Sequence, residues 1–214
     1  MASIKQTDFL PIVMIKDPIT WMASMCRHQY ESRWVHAPKH CPNLVPNRFD
    51  RRYIDPTTQK VMYRTPGKGT IELWVKFATQ HGHDAPYPDP QNKTFIHYTS
   101  LVDMWNTWYG DWYDAKFPRL MVRFEDLLFH AEDVVSKVCK CGGGTMAKTF
   151  RYVEDSAKGE TGPHAGSAGF LASLVTYGNS TLRNMATLTE RADVDYFREY
   201  IDKDLMETFG YANI

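Results

Sequence analysis

Short apolar runs separated by amphipathic segments predict strands that alternate with helices along this 214-residue chain. Residues 12–15 form a continuous apolar run, which is typical of a strand buried on both faces of a parallel sheet. Residues 119–124 place Leu120, Val122 and Phe124 on one face of a second strand. Strands separated by helices predict an α/β layer sandwich with a parallel sheet, in which ligands bind beyond the carboxyl ends of the strands.

Helical periodicity covers much of the remaining chain. Pro18 or Ile19 begins the first predicted helix, because proline suits a first turn, and the pattern extends to about residue 32. Thr99 or Ser100 is expected to cap the next helix. Further helices are predicted at residues 131–140, 169–177 and, as one or two segments, 193–208.

The helix after residue 100 carries a wide apolar stripe with three tryptophans, Trp105, Trp108 and Trp112. Aromatic rings aligned in this way can form a platform for a sugar or a nucleobase. Packing into the core is the commoner use of such a stripe, and it is the interpretation that we favour.

Residues 35–98 show looser periodicity and are rich in Pro, His, Asn and Arg. Within them, residues 60–64 and 70–77 alternate apolar and polar positions around residues 65–69, which predicts a β-hairpin. A long polar stretch inside a domain is usually a functional excursion or a lid. The length of the chain favours a single domain, so we predict one domain over 1–214 with an irregular excursion at about 35–98.

The amino-acid composition argues against some classes of binding partner. Lys and Arg total 25, as do Asp and Glu, so the formal net charge is zero. A balanced charge argues against a general nucleic-acid or acidic-membrane binder, but it allows one local basic pocket for an anionic ligand. No apolar run approaches the roughly 18 residues of a membrane span. The first 18 residues resemble neither a signal peptide nor a transit peptide.

The cysteines leave two interpretations open. Cys26 and Cys41 are either free thiols or a disulfide, and the spacing of Cys139 and Cys141 makes a bridge between that pair strained. A less favoured alternative is a zinc-stabilised interaction module, because zinc prefers nitrogen and sulfur ligands. Its ligands would come from residues 26–41, namely Cys26, His28, His36, His40 and Cys41.

The most informative pattern is a cation directly after the first strand and a serine eight residues later, Lys16 and Ser24. A helix start offers backbone N–H groups and the positive end of the helix dipole to an anion. A lysine and a serine hydroxyl beside it suit a phosphate monoester. A solvated strand exit is the alternative interpretation of Lys16, and a solvated helix face is that of Arg27, one turn after Ser24.

These residues resemble the nucleotide site of PAPS-dependent sulfotransferases, where a strand ends in Arg-x-Pro and a serine follows eight residues after the arginine. In that family the two residues hold the 3′-phosphate of 3′-phosphoadenosine 5′-phosphosulfate (PAPS). Here Lys16, Pro18 and Ser24 have the same spacing. Three later segments are also similar to the family's in order: its Tyr-Glu-Asp-Leu strand end, its Lys-Gly-x-x-Gly loop and its final helix match residues 122–127, 158–162 and 204–211.

The resemblance, which looks closest to carbohydrate-type and algal sulfotransferase-like proteins, implies a P-loop nucleotide-binding fold of the sulfotransferase type. It implies that PAPS donates a sulfuryl group to an acceptor hydroxyl, expected on a carbohydrate, without a metal. The nucleotide-binding residues implied are Lys16, Ser24, Lys158 and Gly159. Arg27 joins them as a compensating cation, because Ala157 stands where the family's late loop usually has an arginine.

Two departures from the family pattern stand out. Lys16 replaces an arginine and so lacks the bidentate fork of a guanidinium. The family's 5′-phosphosulfate loop should lie well before Lys16, yet only 15 residues precede it, so the chain resembles the C-terminal part of a sulfotransferase domain. The usual catalytic base also lies upstream and is not identified here. The histidines nearest the nucleotide segment in sequence are His28, His36 and His40.

Alternatives follow from these departures. A relative that lost the phosphosulfate loop would be a non-catalytic nucleotide-binding or scaffold protein. The turn at residues 65–70, with Lys68 between two glycines, is a less favoured candidate for a displaced phosphate loop. The chain as it stands is expected in the cytoplasm, whereas a fragment of a longer protein is expected in the Golgi lumen.

Overall fold

The computed structural model describes residues 9–30, 32–34, 36, 40–76, 95–152, 170–178, 188 and 190–211. These residues form a mixed α/β structure. Its strands are β1 (Ile12–Ile15), β2 (Ser32–Trp34), β3 (Arg52–Ile54), β4 (Val61–Tyr63), β5 (Leu73–Lys76), β6 (Phe95–Tyr98) and β7 (Leu120–Arg123). Its helices are α1 (Pro18–Arg27), α2 (Leu101–Asp114), α3 (Phe124–Phe129), α4 (Ala131–Cys141), α5 (Phe170–Gly178), α6 (Arg191–Tyr200) and α7 (Lys203–Thr208). None of the helices in these ranges is long and apolar enough to cross a membrane.

The two strands predicted from apolar runs, β1 and β7, are confirmed and pair in parallel. Ile12 lies opposite Leu120, and Ile15 lies opposite Arg123. Within the described ranges this parallel sheet contains two strands. The expectation that β1 is buried on both faces is wrong there, because Ile12 is 54% exposed while Ile15 is 1% exposed. One face of β1 therefore closes the core, and the other faces outward.

The excursion at 35–98 contributes strands to the core. β5 pairs in antiparallel fashion with β2 on one side and with β6 on the other. Leu73 and Val75 from β5 and Tyr98 from β6 belong to the same apolar cluster as β1 and α2. The central part of this stretch is thus more regular than its composition suggested.

The hairpin predicted around residues 65–69 is wrong in its pairing. β4 pairs with β3, with Tyr63 opposite Arg52, and β5 joins the other antiparallel sheet. The turn contains two left-handed glycines, Gly67 and Gly69, at φ of 74° and 73°. The amide of Gly67 donates to the carbonyl of Pro46 at 2.8 Å, which ties this turn to an earlier loop.

Helix α2 holds β1 in place from the core side. Ser100 caps it by accepting the Asp103 N–H at 3.1 Å, as the sequence predicted. The indole Nε1 of Trp105, which is fully buried, donates to the Lys16 carbonyl at 3.1 Å. The hydroxyl of Tyr109 donates to the Met14 carbonyl at 3.2 Å. These bonds fix the point at which the chain leaves β1.

Helix α1 starts as predicted and ends earlier. Asp17 caps it, and Pro18 occupies its first turn. The helix stops at Arg27 because His28 is extended, at φ −149°, and Tyr30 adopts a left-handed conformation at φ 51°. The predicted end at about residue 32 is therefore wrong, and the chain turns there into β2.

A disulfide joins the loop that follows β2 to α1, and hydrogen bonds join it to α6. Cys26 and Cys41 form a disulfide, which resolves the two interpretations of this pair. Beyond Cys41, the carboxylate of Asp193 on α6 accepts the N–H groups of Leu44 at 2.7 Å and Val45 at 2.9 Å. Leu44 is fully buried, so the loop is fixed at both ends.

Removal of the Asp193 carboxylate should destabilise this loop. In Asp193→Ala two N–H groups lose their acceptor, and we expect the free energy of unfolding to fall by about 2–4 kcal/mol. Asp193→Asn keeps an acceptor oxygen and should lose less. Urea unfolding measures both variants, and Asp195→Ala on the exposed face of α6 is the control. Equal losses in Asp193→Ala and Asp195→Ala would contradict the proposed anchor.

The same carboxyl group predicts a pH effect. Burial raises the pKa of Asp193 above its ordinary value of 3.8, and the two N–H donors oppose that rise only in part. The stability linked to this group is complete below 3.8 and is lost as pH rises through the raised value. Wild type should therefore lose stability relative to Asp193→Asn over that interval, as measured by unfolding at a series of pH values. A constant difference would refute the shift.

Loss of the disulfide should cost more than loss of a free thiol. A cross-link between residues 15 apart restricts the unfolded chain by about 3 kcal/mol. We expect Cys26→Ser with Cys41→Ser to lower the free energy of unfolding by roughly that amount. Cys139→Ser, which removes a free thiol, is the control. Equal unfolding midpoints for the double variant and the control would contradict the expectation.

Candidate phosphate-binding site

Two cations converge on one hydroxyl beside the end of β1. The Nζ of Lys16 donates to the Oγ of Ser24 at 2.8 Å. The Nη2 of Arg27 donates to the same oxygen at 3.3 Å. Ser24 in turn donates its proton to the Thr20 carbonyl, one turn earlier, at 3.0 Å. The three residues singled out from the sequence at this end of β1 therefore form one cluster, which we call the cation cluster.

The cation cluster lies along the side of α1 rather than at its start. The expectation that the helix N-terminus is available to an anion is wrong, because Asp17 already occupies it. Its Oδ1 accepts both the backbone N–H of Thr20 at 2.8 Å and the Thr20 hydroxyl at 2.7 Å. Within the described residues, the side chains of Lys16, Ser24 and Arg27 are therefore the donors that this cluster offers to an anion.

Two aromatic rings orient the lysine. The Nζ of Lys16 lies 4.9 Å from the ring centre of Phe124 and 5.0 Å from that of Tyr177. These rings meet edge to face, with their centres 5.1 Å apart. An ammonium group over an aromatic face is attracted by the ring quadrupole, so the rings restrict the lysine to the side of α1 that carries Ser24.

A buried carboxylate fixes the backbone beneath the cation cluster. Glu125, which is 6% exposed, accepts the N–H of Asp17 at 3.1 Å and the hydroxyl of Tyr211 at 2.6 Å. Burial, the hydrogen bond to Glu125 and the charge of Glu125 raise the pKa of Tyr211. Tyr211 therefore stays protonated and remains a donor at physiological pH. The turn after β1, the β7–α3 junction and Tyr211 are joined at this carboxylate.

The sequence located part of this site. Lys16, Ser24 and Arg27 are brought together, whereas Lys158 and Gly159 lie outside the described residues. Sequence reasoning missed the aromatic pair. Phe124 carried a weak signal, since it directly follows β7 at the same sheet end as Lys16. Tyr177 lies in α5, 161 residues after Lys16, and no sequence pattern connected the two.

The structure does not bring together the residues that the sequence offered as zinc ligands. The disulfide removes both thiolates from the zinc set. The ring of His40 stacks on Phe49, and the ring of His28 lies tilted against Tyr30 with centres 4.1 Å apart. His36 lies 5.1 Å from Trp34, centre to centre. Within the described part of the chain, no group of three or more His, Cys, Asp or Glu side chains is placed to hold a metal ion.

The turn at residues 65–70 also lacks the form of a phosphate loop. The amide of Lys68 donates to the carbonyl of Thr65 at 3.1 Å, and that of Gly67 donates to Pro46. These two N–H groups are therefore engaged within the fold. An exposed turn of this kind follows β4 and leads to β5 rather than to a helix, so we assign it as a structural turn.

A cavity of about 520 Å³ lies close to the cation cluster and is separate from it. It touches all four consecutive residues of β7, and since alternate side chains point to opposite faces, it runs along the edge of that strand. Ile15 and Arg123, paired at the ends of β1 and β7, both line it. Lys16, Ser24 and Arg27 are not among its walls. In the cation cluster, Lys16 and Ser24 are half-buried and Arg27 is exposed.

Loss of the Tyr211 hydroxyl tests the support beneath the site. Tyr211→Phe leaves the buried Glu125 carboxylate with one donor fewer, and we expect a loss of about 1–3 kcal/mol in the free energy of unfolding. Tyr200→Phe, in an exposed tyrosine, should change stability far less. Chemical unfolding measures both. A neutral Tyr211→Phe would show that Glu125 does not depend on this bond.

Comparison with known proteins adds no assignment. No family model matches this chain, and no curated protein or solved structure shows a significant match to it. Interpretation of the site therefore depends on its own geometry and chemistry.

Proposed function

We propose that this chain is a sulfotransferase-like protein that binds PAPS through its 3′-phosphate at the cation cluster and transfers the sulfuryl group to an acceptor hydroxyl, expected on a carbohydrate. The observation that carries this proposal is the convergence of Lys16 Nζ and Arg27 Nη2 on Ser24 Oγ. We also propose that β1 and β7 belong to a layer sandwich of the P-loop sulfotransferase type.

A phosphate monoester fits the cluster because its negative charge and its acceptor oxygens match the cations and donors of the cluster. Two cations within reach of one oxygen repel each other, and a dianion at that point removes the repulsion. Arg27 makes no salt bridge to a described acidic residue, so its charge is not already neutralised there. Ser24 can rotate its proton from the Thr20 carbonyl toward a phosphate oxygen. Three kinds of donor would then surround the ligand.

The position of the cluster also favours a nucleotide. It follows directly after β1, at the carboxyl end of a parallel strand pair, where α/β proteins usually bind such ligands. The Glu125 carboxylate and the indole of Trp105 hold the backbone at this point from two directions. A site built on fixed backbone loses less entropy on binding than one on a mobile loop.

Sulfuryl transfer at such a site has a simple balance. The acceptor oxygen forms a bond to sulfur, and the bond from sulfur to the bridging oxygen of the 5′-phosphate breaks. Adenosine 3′,5′-bisphosphate leaves with the electron pair of that bond, and the acceptor proton passes to a base. The role proposed for Lys16, Ser24 and Arg27 is to bind and orient the donor by its 3′-phosphate.

Calorimetric titration with adenosine 3′,5′-bisphosphate tests the binding step. We expect Lys16→Met and Ser24→Ala each to weaken binding by roughly 10- to 100-fold, because each removes a hydrogen bond that involves a charged group. Arg27→Gln should weaken it less, because Arg27 is exposed. Adenosine 5′-monophosphate, which lacks the 3′-phosphate, should bind all four proteins about equally weakly.

The controls separate this cluster from general charge. Lys60→Met and Arg52→Gln remove exposed cations of the β3–β4 hairpin and should leave the affinity unchanged. Equal affinity of wild type and Lys16→Met for the bisphosphate would refute the proposed site. The same conclusion would follow if the 5′-monophosphate bound wild type as tightly as the bisphosphate.

An assay of sulfuryl transfer distinguishes an active sulfotransferase from a non-catalytic nucleotide-binding protein. Wild type is incubated with PAPS labelled in the sulfuryl group and a panel of neutral sugars, and labelled product is counted. Product that disappears in Lys16→Met supports sulfuryl transfer. Tight binding of the bisphosphate without any labelled product would favour the nucleotide-binding scaffold.

A further inference from the structure

A second cavity, of about 340 Å³, lies between α2 and β6 and takes no part in the proposed phosphate site. Most of its walls are aromatic. The described residues that line it are Ile96, Tyr98, Trp108, Asp111, Trp112, Ala115 and Phe117. The volume falls within the range of small-molecule sites.

The spacing of these residues along α2 and β6 explains why they line the same cavity. Trp108, Asp111, Trp112 and Ala115 are spaced by three, four and seven residues, so they lie on one face at the end of α2. Ile96 and Tyr98 are two apart on β6 and point to one face of that strand. Phe117 follows α2 and closes the cavity at its far side. The adjoining face of α2 carries Trp105 and Tyr109, which pack on β1.

We call this cavity the aromatic box, because two of its aromatic walls, Trp112 and Phe117, do not lie in one plane. The rings of Trp112 and Phe117 are nearly perpendicular, at 85°, with centres 6.0 Å apart. Of the other two aromatic walls, Tyr98 is 5% exposed and Trp108 is 36% exposed. Of the three tryptophans on the predicted stripe, Trp105 is fully buried in the core and Trp112 packs against the core, as we expected. Trp108 is more exposed, and both Trp108 and Trp112 line this cavity.

The charge of this aromatic box is negative. Among the described residues that line it, Asp111 is the only charged one and none is basic. Asp103 lies nearby but accepts the N–H of Thr99 at 2.8 Å, whereas no described hydrogen bond or salt bridge engages Asp111. Burial raises the pKa of Tyr98, and the charges of Asp111 and Asp103 raise it further.

We propose that the aromatic box binds an organic cation with a quaternary ammonium group. Perpendicular ring faces attract such a cation from several sides, and one carboxylate balances its charge. A methylated ammonium needs no hydrogen bonds, which suits walls that offer few polar groups. A sugar would need donors and acceptors for several hydroxyls, and a phosphate would be repelled by Asp111.

Titration with choline tests the proposal, followed by tryptophan fluorescence because Trp108 and Trp112 border the site. Saturable quenching by choline is expected. The uncharged carbon isostere, 3,3-dimethylbutan-1-ol, should bind at least about fivefold more weakly, because it lacks the charge that the rings and Asp111 attract. Equal binding of choline and this alcohol would overturn the proposal, as would the absence of saturable quenching by choline.

Matched variants on one helix locate the site. Asp111→Asn should weaken choline binding by about three- to thirtyfold, and Trp112→Leu by a similar factor. Asp114→Asn, which removes an exposed carboxylate three residues away, should leave it unchanged. Circular dichroism shows whether Trp112→Leu is folded. If Trp112→Leu does not fold, the comparison of Asp111→Asn with wild type tests the proposal. An equal effect of Asp111→Asn and Asp114→Asn would place the cation elsewhere.

Two further ligands identify the source of the cation. A peptide that contains trimethyl-lysine should compete with choline if the natural ligand is a protein side chain, and failure to compete assigns the box to a small molecule. Methyl glucoside should cause no saturable change, and binding of this sugar in preference to choline would overturn the proposal. Choline binding is expected to be the same in Lys16→Met as in wild type, so this inference stands or fails separately from the proposed function.

Discussion

The buried carboxylate of Glu125 is the constraint on which the arrangement of this molecule depends. It receives one hydrogen bond from the turn after β1 and another from Tyr211 near the end of the chain. A carboxylate without these donors would be expensive to bury, so the three segments must meet for the fold to be stable. The same contact sets where Lys16 leaves β1, and so where its side chain can reach.

Helix α2 connects the two sites through different faces. Trp105 and Tyr109 donate to backbone carbonyls at the end of β1, and so hold the part of the chain at which we propose phosphate binding. The neighbouring face, with Trp108 and Trp112, opens toward β6. The two sites have opposite charge, two cations in one and a carboxylate in the other. A ligand that suits one is therefore repelled by the other, which keeps their specificities distinct.

Predictions from the sequence were correct for features that depend only on neighbouring residues within one helix or strand. The Ser100 cap, the start of α1 at Pro18 and the strand at β7 all follow from neighbouring residues, and all are present. Pairing was harder to infer. β4 pairs with β3 rather than β5, because glycines at positive φ and a bond to Pro46 redirect the chain, and alternation of apolar residues does not specify a partner strand.

The sequence by itself determined that Lys16 and Ser24 stand at a strand end and on the next helix, since their spacing is local and an α-helix places them within reach. Only the tertiary structure decided what surrounds them. The rings of Phe124 and Tyr177 come from positions more than a hundred residues away, and the aromatic box combines a strand, a helix face and a loop. Such contacts depend on which apolar faces pack against each other. Periodicity in the sequence indicates that an element has an apolar face, but it does not specify the element on which that face packs.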